Sequence, residues 1–115
     1  MGVVYRGSGW TAVALGRFEN GYIYDGIGYF ANAIGKYSDG YIYRGTGYFA
    51  DVIGEYRNGT IYRGHGFMAT PIGKYEGGRI YKGTGMMASV IGSYKDNIDG
   101  GAPAAAFYLL ATEFI

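Results

Sequence analysis

The chain has no cysteine, two prolines, one histidine and one tryptophan, and its formal charge is only +1. Without cysteine there is neither a disulfide framework nor a thiolate, and the redox state of the compartment is left open. Two prolines beside 23 glycines exclude both a collagen-like chain and a Pro-rich linker. A near-neutral charge gives no global electrostatic case for nucleic acid or an anionic membrane, so no nucleic-acid partner is expected and only a local basic patch stays open. The longest apolar run, Ala102 to Ala111, is well short of the roughly 20 residues that cross a bilayer, so no membrane span is expected. The N-terminus reads MGVVYRGSGW, without the charged and apolar regions of an export signal. Arg6 stands where a myristoylation pattern needs Ser or Thr. The location is therefore cytoplasmic by default and otherwise unassigned.

What the chain does have is glycine, tyrosine and a period. The stretch Gly40 to Asn58 (GYIYRGTGYFADVIGEYRN) recurs with small changes, in copies that begin at Gly2, Gly21, Gly40, Gly59 and Gly78 without insertion or deletion. The copies cover 2–20, 21–39, 40–58, 59–77 and 78–96; a loop at 97–101 and a C-terminal helix over 102–115 complete one expected domain, 1–115. The first position of every copy is glycine and the fourth is tyrosine (Tyr5, Tyr24, Tyr43, Tyr62, Tyr81). The sixth, eighth and fifteenth are glycine, as in Gly45, Gly47 and Gly54, and the eleventh is alanine, as in Ala50. The third is Val4 followed by four isoleucines, and the seventeenth is Phe18 followed by four tyrosines. Only glycines and apolar or aromatic residues are repeated, which builds a scaffold and supplies no catalytic centre.

The junctions read Asn20-Gly21, Asp39-Gly40, Asn58-Gly59 and Gly77-Gly78. Such pairs between apolar segments predict type I′ hairpin turns, whose two central residues need positive φ. They join strands such as Ile53 to Arg57 and Thr60 to Arg63, rich in residues that fit a pleated, half-buried surface. The Gly-x-Gly in mid-copy predicts a second reversal or bulge. About ten strands result. Across an Asn-Gly turn, Tyr56 would face Ile61, while Ile53, Tyr62 and Glu55 would share the other side. Both faces then carry apolar groups. The first copy diverges without turning polar (Trp10, Thr11), which favours a closed ring over an open array with polar caps.

The segment APAAAFYLLATEFI, with Pro103 in its first turn, predicts a helix that is apolar almost all round and needs a host. A ten-stranded closed sheet leaves a lumen too wide for its own side chains, and a helix about 10–12 Å across could fill it with Phe107, Leu109, Leu110 and Phe114. The alternative host is a second subunit, making a homo-oligomer. The fold class expected is thus mainly β: a closed or nearly closed barrel of about five hairpin repeats with one C-terminal helix packed in or on it.

The combination of G-x-I-Y-x-G with I-G-x-Y and an Asn-Gly or Asp-Gly turn, as in Gly21-Tyr22-Ile23-Tyr24 and Ile34-Gly35-Lys36-Tyr37-Ser38-Asp39, resembles the bacterial four-fold β-flower proteins. The resemblance covers residues 2 to 96, with five copies where the four-fold form has four. It implies hairpins arranged about an axis and no enzymatic activity, and it supplies no functional residues. Choline- and glucan-binding cell-wall repeats are similar at a distance but depend on tryptophans. MORN repeats share Y-x-G and G-x-G elements, as in Tyr43-Arg44-Gly45, at a different spacing.

Chemistry is sparse. Gly26-Ile27-Gly28-Tyr29-Phe30-Ala31 mimics a dinucleotide fingerprint, yet that fingerprint must open a helix within a βαβ unit, and here a new copy follows at once. His65 has no cysteine or second histidine as partner, so no metal and no cofactor is expected. The carboxylates, among them Asp25, Asp51, Glu55 and Glu76, form no recurrent pair, so no catalytic residue is assigned. The fifth position holds Arg6, Asp25, Arg44, Arg63 and Lys82, a nearly basic row around one level of a ring. Such a row could hold an anionic small ligand, helped by tyrosines such as Tyr22 and Tyr41; solvated strand-edge charges that discourage aggregation are the more frequent reason for one. The function expected is a non-enzymatic scaffold acting as a binding or assembly module. The alternative is a carbohydrate or cell-surface ligand binder that uses Arg6, Arg44, Arg63, Lys82, Tyr22 and Tyr41 together with exposed Tyr29 and Tyr48.

Overall fold

A computed structural model describes residues 2–95, 101–111 and 113–114. Ten strands follow one another as β1 (Gly2–Arg6), β2 (Val13–Glu19), β3 (Tyr22–Asp25), β4 (Asn32–Ser38), β5 (Tyr41–Arg44), β6 (Asp51–Arg57), β7 (Thr60–Arg63), β8 (Thr70–Glu76), β9 (Arg79–Lys82) and β10 (Ser89–Lys95), and one helix, α1 (Gly101–Leu110), ends the chain. The strands form a closed antiparallel barrel in sequence order. β1 closes on β10 through Val4 opposite Tyr94 and Tyr5 opposite Ser93. The same register joins β4 to β5 (Tyr37 opposite Ile42) and β6 to β7 (Tyr56 opposite Ile61), so the seam repeats a continuous junction. The expected ring is therefore closed.

The turns are as the dipeptides require. Asn20, Asp39 and Asn58 take φ of 53, 52 and 51°, each followed by a glycine above 80°, the type I′ signature. All four junction turns lie at one end of the barrel, and the Gly-x-Gly loops leave from the other. In each loop the alanine N–H closes a tight turn onto the second glycine, as from Ala50 to Gly47 at 3.2 Å. Two loops form a 3-10 turn, at Gly9–Thr11 and Gly66–Met68. None opens an α-helix, which removes the dinucleotide resemblance.

One expectation is corrected. Ile53 does not share a face with Tyr62, because the register slips between Ile42 opposite Gly54 and Tyr43 opposite Val52, leaving Ile53 as an extra residue. Leu15, Ile34, Ile72 and Ile91 occupy equivalent bulges. A bulge resets the alternation, so these residues turn toward the core while the tyrosines of the fourth position stay outside. The bulged carbonyls also accept from the next loop, as Ile53 does from Gly64 at 3.0 Å and Ile91 from Gly7 at 2.9 Å. Each hairpin is tied to its neighbour at the point where its own ladder is broken.

The core is the lumen. Val4, Ile23, Ile42, Ile61 and Ile80 are wholly buried, and burying such a side chain stabilises by about 1.5–3 kcal/mol. Toward the turn end, Phe18, Tyr75 and Tyr94 are buried and Tyr37 and Tyr56 partly so. The helix runs through this space. Its first part is small, Ala102 to Ala106, where the aromatic ring narrows the lumen; Phe107 to Leu110 follow at the level of the fifteenth-position glycines. A Cβ on Gly92 would collide with Phe107, on Gly35 with Leu109, on Gly73 with Phe114 and on Gly16 with Leu110, and one on Gly54 would crowd Tyr108 at 3.2 Å. Five glycines thus clear space for five different side chains. The helix begins one residue earlier than expected and stops five short of residue 115: after the last bond, Ala111 N–H to Phe107 at 2.9 Å, Glu113 and Phe114 turn back over the mouth. Of the expected loop 97–101, residues 97–100 lie outside the described residues and Gly101 belongs to the helix.

Candidate functional site

Alternation places the fifth-position residues, at the loop-end termini of β1, β3, β5, β7 and β9, over the mouth of the lumen. The helix delivers its C-terminal end to the same mouth, and the basic row meets the negative end of the helix dipole there. Arg6 pairs with Glu113, Nε to Oε2 at 2.6 Å. Arg63 donates to the backbone carbonyl of Phe114. The Arg44 side chain makes no hydrogen bond or ion pair among the described residues, and Lys82 is exposed on the rim. Two of the five row members, Arg6 and Arg63, therefore serve the tail, a structural role hidden in the sequence because row and tail lie far apart along the chain.

Between Arg44, Arg63 and the tail lies an open cleft of about 410 Å³, floored by Tyr108, Leu109, Leu110, Ala111 and Phe114. Tyr108 Oη donates to the carbonyl of Ile53 at 2.9 Å. Partial burial pushes its hydroxyl above the usual tyrosine value, and the charges of Arg63 and Arg44 pull part of the way back. Tyr37 is likewise raised by burial. A tyrosine whose proton is held more tightly in the folded than in the unfolded state stabilises the fold below the unfolded value and loses that contribution as pH rises through it. Urea midpoints are accordingly expected to stay flat from about pH 7 to 9 and to fall above about pH 10. A Tyr37→Phe variant should show a shallower fall.

The structure brings together Arg44 and Arg63, with Arg6 at the same mouth. It does not bring Tyr22 and Tyr41 to them: both lie on the outer face, only partly exposed. The fourth-position tyrosines are also outside, each under a cation, as with Arg17 Cζ 3.8 Å above the Tyr24 ring and Arg57 Cζ 4.1 Å above Tyr62. His65 is exposed in its loop. Among the described residues no three His, Asp or Glu side chains converge as metal ligands, and no helix is long and apolar enough to cross a membrane.

The loops are themselves anchored. Lys36 Nζ donates to the carbonyl of Gly47 at 3.1 Å, Gly66 N–H donates to Glu55 Oε2 at 2.8 Å, and Ser93 Oγ donates to the carbonyl of Gly7 at 2.8 Å. Each contact fastens a loop to the outer face of the preceding hairpin. The loop tips then stand clear: Trp10, Tyr29 and Phe30, Tyr48 and Phe49, Phe67 and Met68, and Met86 and Met87 are almost wholly exposed.

A closed barrel of short hairpins with outward loops is the geometry of a flower, and residues 2–105 match the family model described as 6-fold beta flower protein. The chain belongs to the six-fold beta flower family. This places it among β-flower proteins, as its hairpin motifs indicate, and carries over neither a four-fold count nor a bacterial source. No curated protein and no solved structure matches the chain.

Proposed function

We propose that this β-flower protein is a non-enzymatic binding module of five 19-residue hairpin units, whose mouth cleft takes a small anionic ligand with an apolar body. The observation that carries this reading is the cleft itself: an unpartnered Arg44 beside Arg63 on its rim, above a floor of Leu109, Leu110 and Phe114. A carboxylate or phosphate would take a charge-assisted hydrogen bond from Arg44 while its apolar part covers the leucines. Among the described residues that line the cleft there is no pair of carboxylates and no nucleophile–base pair, which supports binding over catalysis.

Calorimetric titration with octanoate and phenylacetate, and with their methyl esters as uncharged controls, tests the reading. The acids should bind and the esters should not. Arg44→Gln should weaken the acids by about 10- to 100-fold, the loss of one hydrogen bond to a charged group. Equal binding of acids and esters, or an unaffected Arg44→Gln, would refute it. The second reading is carbohydrate binding, favoured by the exposure of Tyr29 and Tyr48, 89% and 92%. A glycan array probed with the wild type and with Tyr29→Ala/Tyr48→Ala tests that reading separately.

A further inference from the structure

We propose that the loop end is a membrane-surface anchor, whose tips insert into the headgroup region of a phospholipid bilayer. This goes beyond ligand binding in the cleft and rests chiefly on the loop tips, with the mouth cations Arg44 and Arg63 as the one shared element. In each loop the fold uses the glycines and the alanine, but not the two positions between them, which hold large apolar side chains in nearly every case. The tips hold each other in pairs, Tyr29 edge-on to Phe30 with centroids 5.0 Å apart and Tyr48 to Phe49 at 5.1 Å. All the loops connect an odd-numbered strand to the next, so all leave the barrel at one end.

Two features favour a bilayer over a protein partner. The first is distribution: the tips are spread around a molecule 38 × 37 Å across and 24 Å deep, with polar and glycine-rich backbone between them. A protein interface concentrates its anchors in a compact central cluster; separate fingers without a centre suit a continuous, deformable surface. The second is kind: Trp10, Tyr29 and Tyr48 carry the amphipathic rings that settle at headgroup level, and the Phe and Met side chains beside them supply apolar surface to insert. Inside the ring of tips lie Arg44, Arg63 and Lys82, cations that complement anionic headgroups. Depth is limited by the outer face of the sheet, which presents Lys36, Arg57, Lys74 and Glu76.

Trp10, the single tryptophan, sits in the ring and reports on it directly. With vesicles of mixed phosphatidylcholine and phosphatidylglycerol, its emission should shift to the blue and the protein should co-sediment. The combined variant Phe30→Ser/Phe49→Ser/Phe67→Ser, whose side chains support nothing in the barrel, should keep the wild-type melting curve and lose about tenfold or more in vesicle affinity. The proposal is overturned by unshifted emission with the protein left in the supernatant. It is equally overturned if the triple variant binds as the wild type does, or if a doubled mass with blue-shifted Trp10 emission before any lipid is added shows a second copy covering the ring. Arg44→Gln, which tests the cleft, leaves the apolar tips intact, so the two readings fail independently.

Discussion

Removing residues 101–115 is expected to turn a cooperatively melting barrel into a dye-binding, aggregating chain. The lumen is lined by Val4, Ile23, Ile42, Ile61 and Ile80 and by the bulged residues, and the tail covers them from within. Water that filled the vacated lumen would meet few hydrogen-bonding partners there, and the apolar wall would lose its burial. Collapse of the ring is opposed by its closed hydrogen-bond ladder, so the expected product retains strand signal in far-ultraviolet dichroism and loses fixed side-chain packing. Phe107→Ala is the graded version. Its ring is wholly buried and lies 5.8 Å, edge-on, from Phe114, and the cavity should destabilise by about 3–5 kcal/mol in urea denaturation. A truncated chain that stays soluble and melts sharply would refute the account.

Gly16→Ala is expected to be nearly as damaging for a single methyl group. A Cβ there would run into the backbone oxygen of Tyr24 as well as Leu110 at 2.5 Å. Leu110 could rotate away, but the carbonyl belongs to the neighbouring strand and can move only with the ladder. Overpacking of this kind costs about 1–3 kcal/mol and more where backbone must shift. Gly28→Ala is the internal control, because nothing lies within 4 Å of its Cβ and its φ is ordinary. It should change stability by less than about 0.5 kcal/mol. Equal effects at the two positions would mean that the glycine belt is not what seats the tail.

Much of this architecture was legible in the residues. Asn20-Gly21, Asp39-Gly40 and Asn58-Gly59 specify turns through local backbone geometry, which needs no tertiary information. The barrel and its helix followed from the apolar character of the tail and the number of strands. The bulge at Ile53 was hidden, because a slip of one residue leaves the composition of both faces looking mixed. So was the purpose of Gly54: invariance marked it as special, but the space it clears is set by Tyr108, more than fifty residues away. The mouth was half visible. A basic row was evident from its spacing, whereas its engagement with Glu113 and Phe114 depends on where the helix ends. Of the apolar tips, Tyr29 and Tyr48 are legible as exposed ligand-binding candidates, whereas the exposure of Phe30, Phe49, Phe67, Met68, Met86 and Met87 cannot be read from residue type.

The register across the β1–β10 seam matches that of the covalently continuous junctions, so the sheet itself does not record where the chain starts. A barrel of this type can lengthen by whole hairpins with no change to any local contact, and its circumference grows in proportion to strand number. What resists such growth is the tail, whose bulk is matched to one bore. The tail therefore acts as a gauge of ring size: a relative with another hairpin would need a thicker filling, and the girth of its C-terminal segment should track its number of petals.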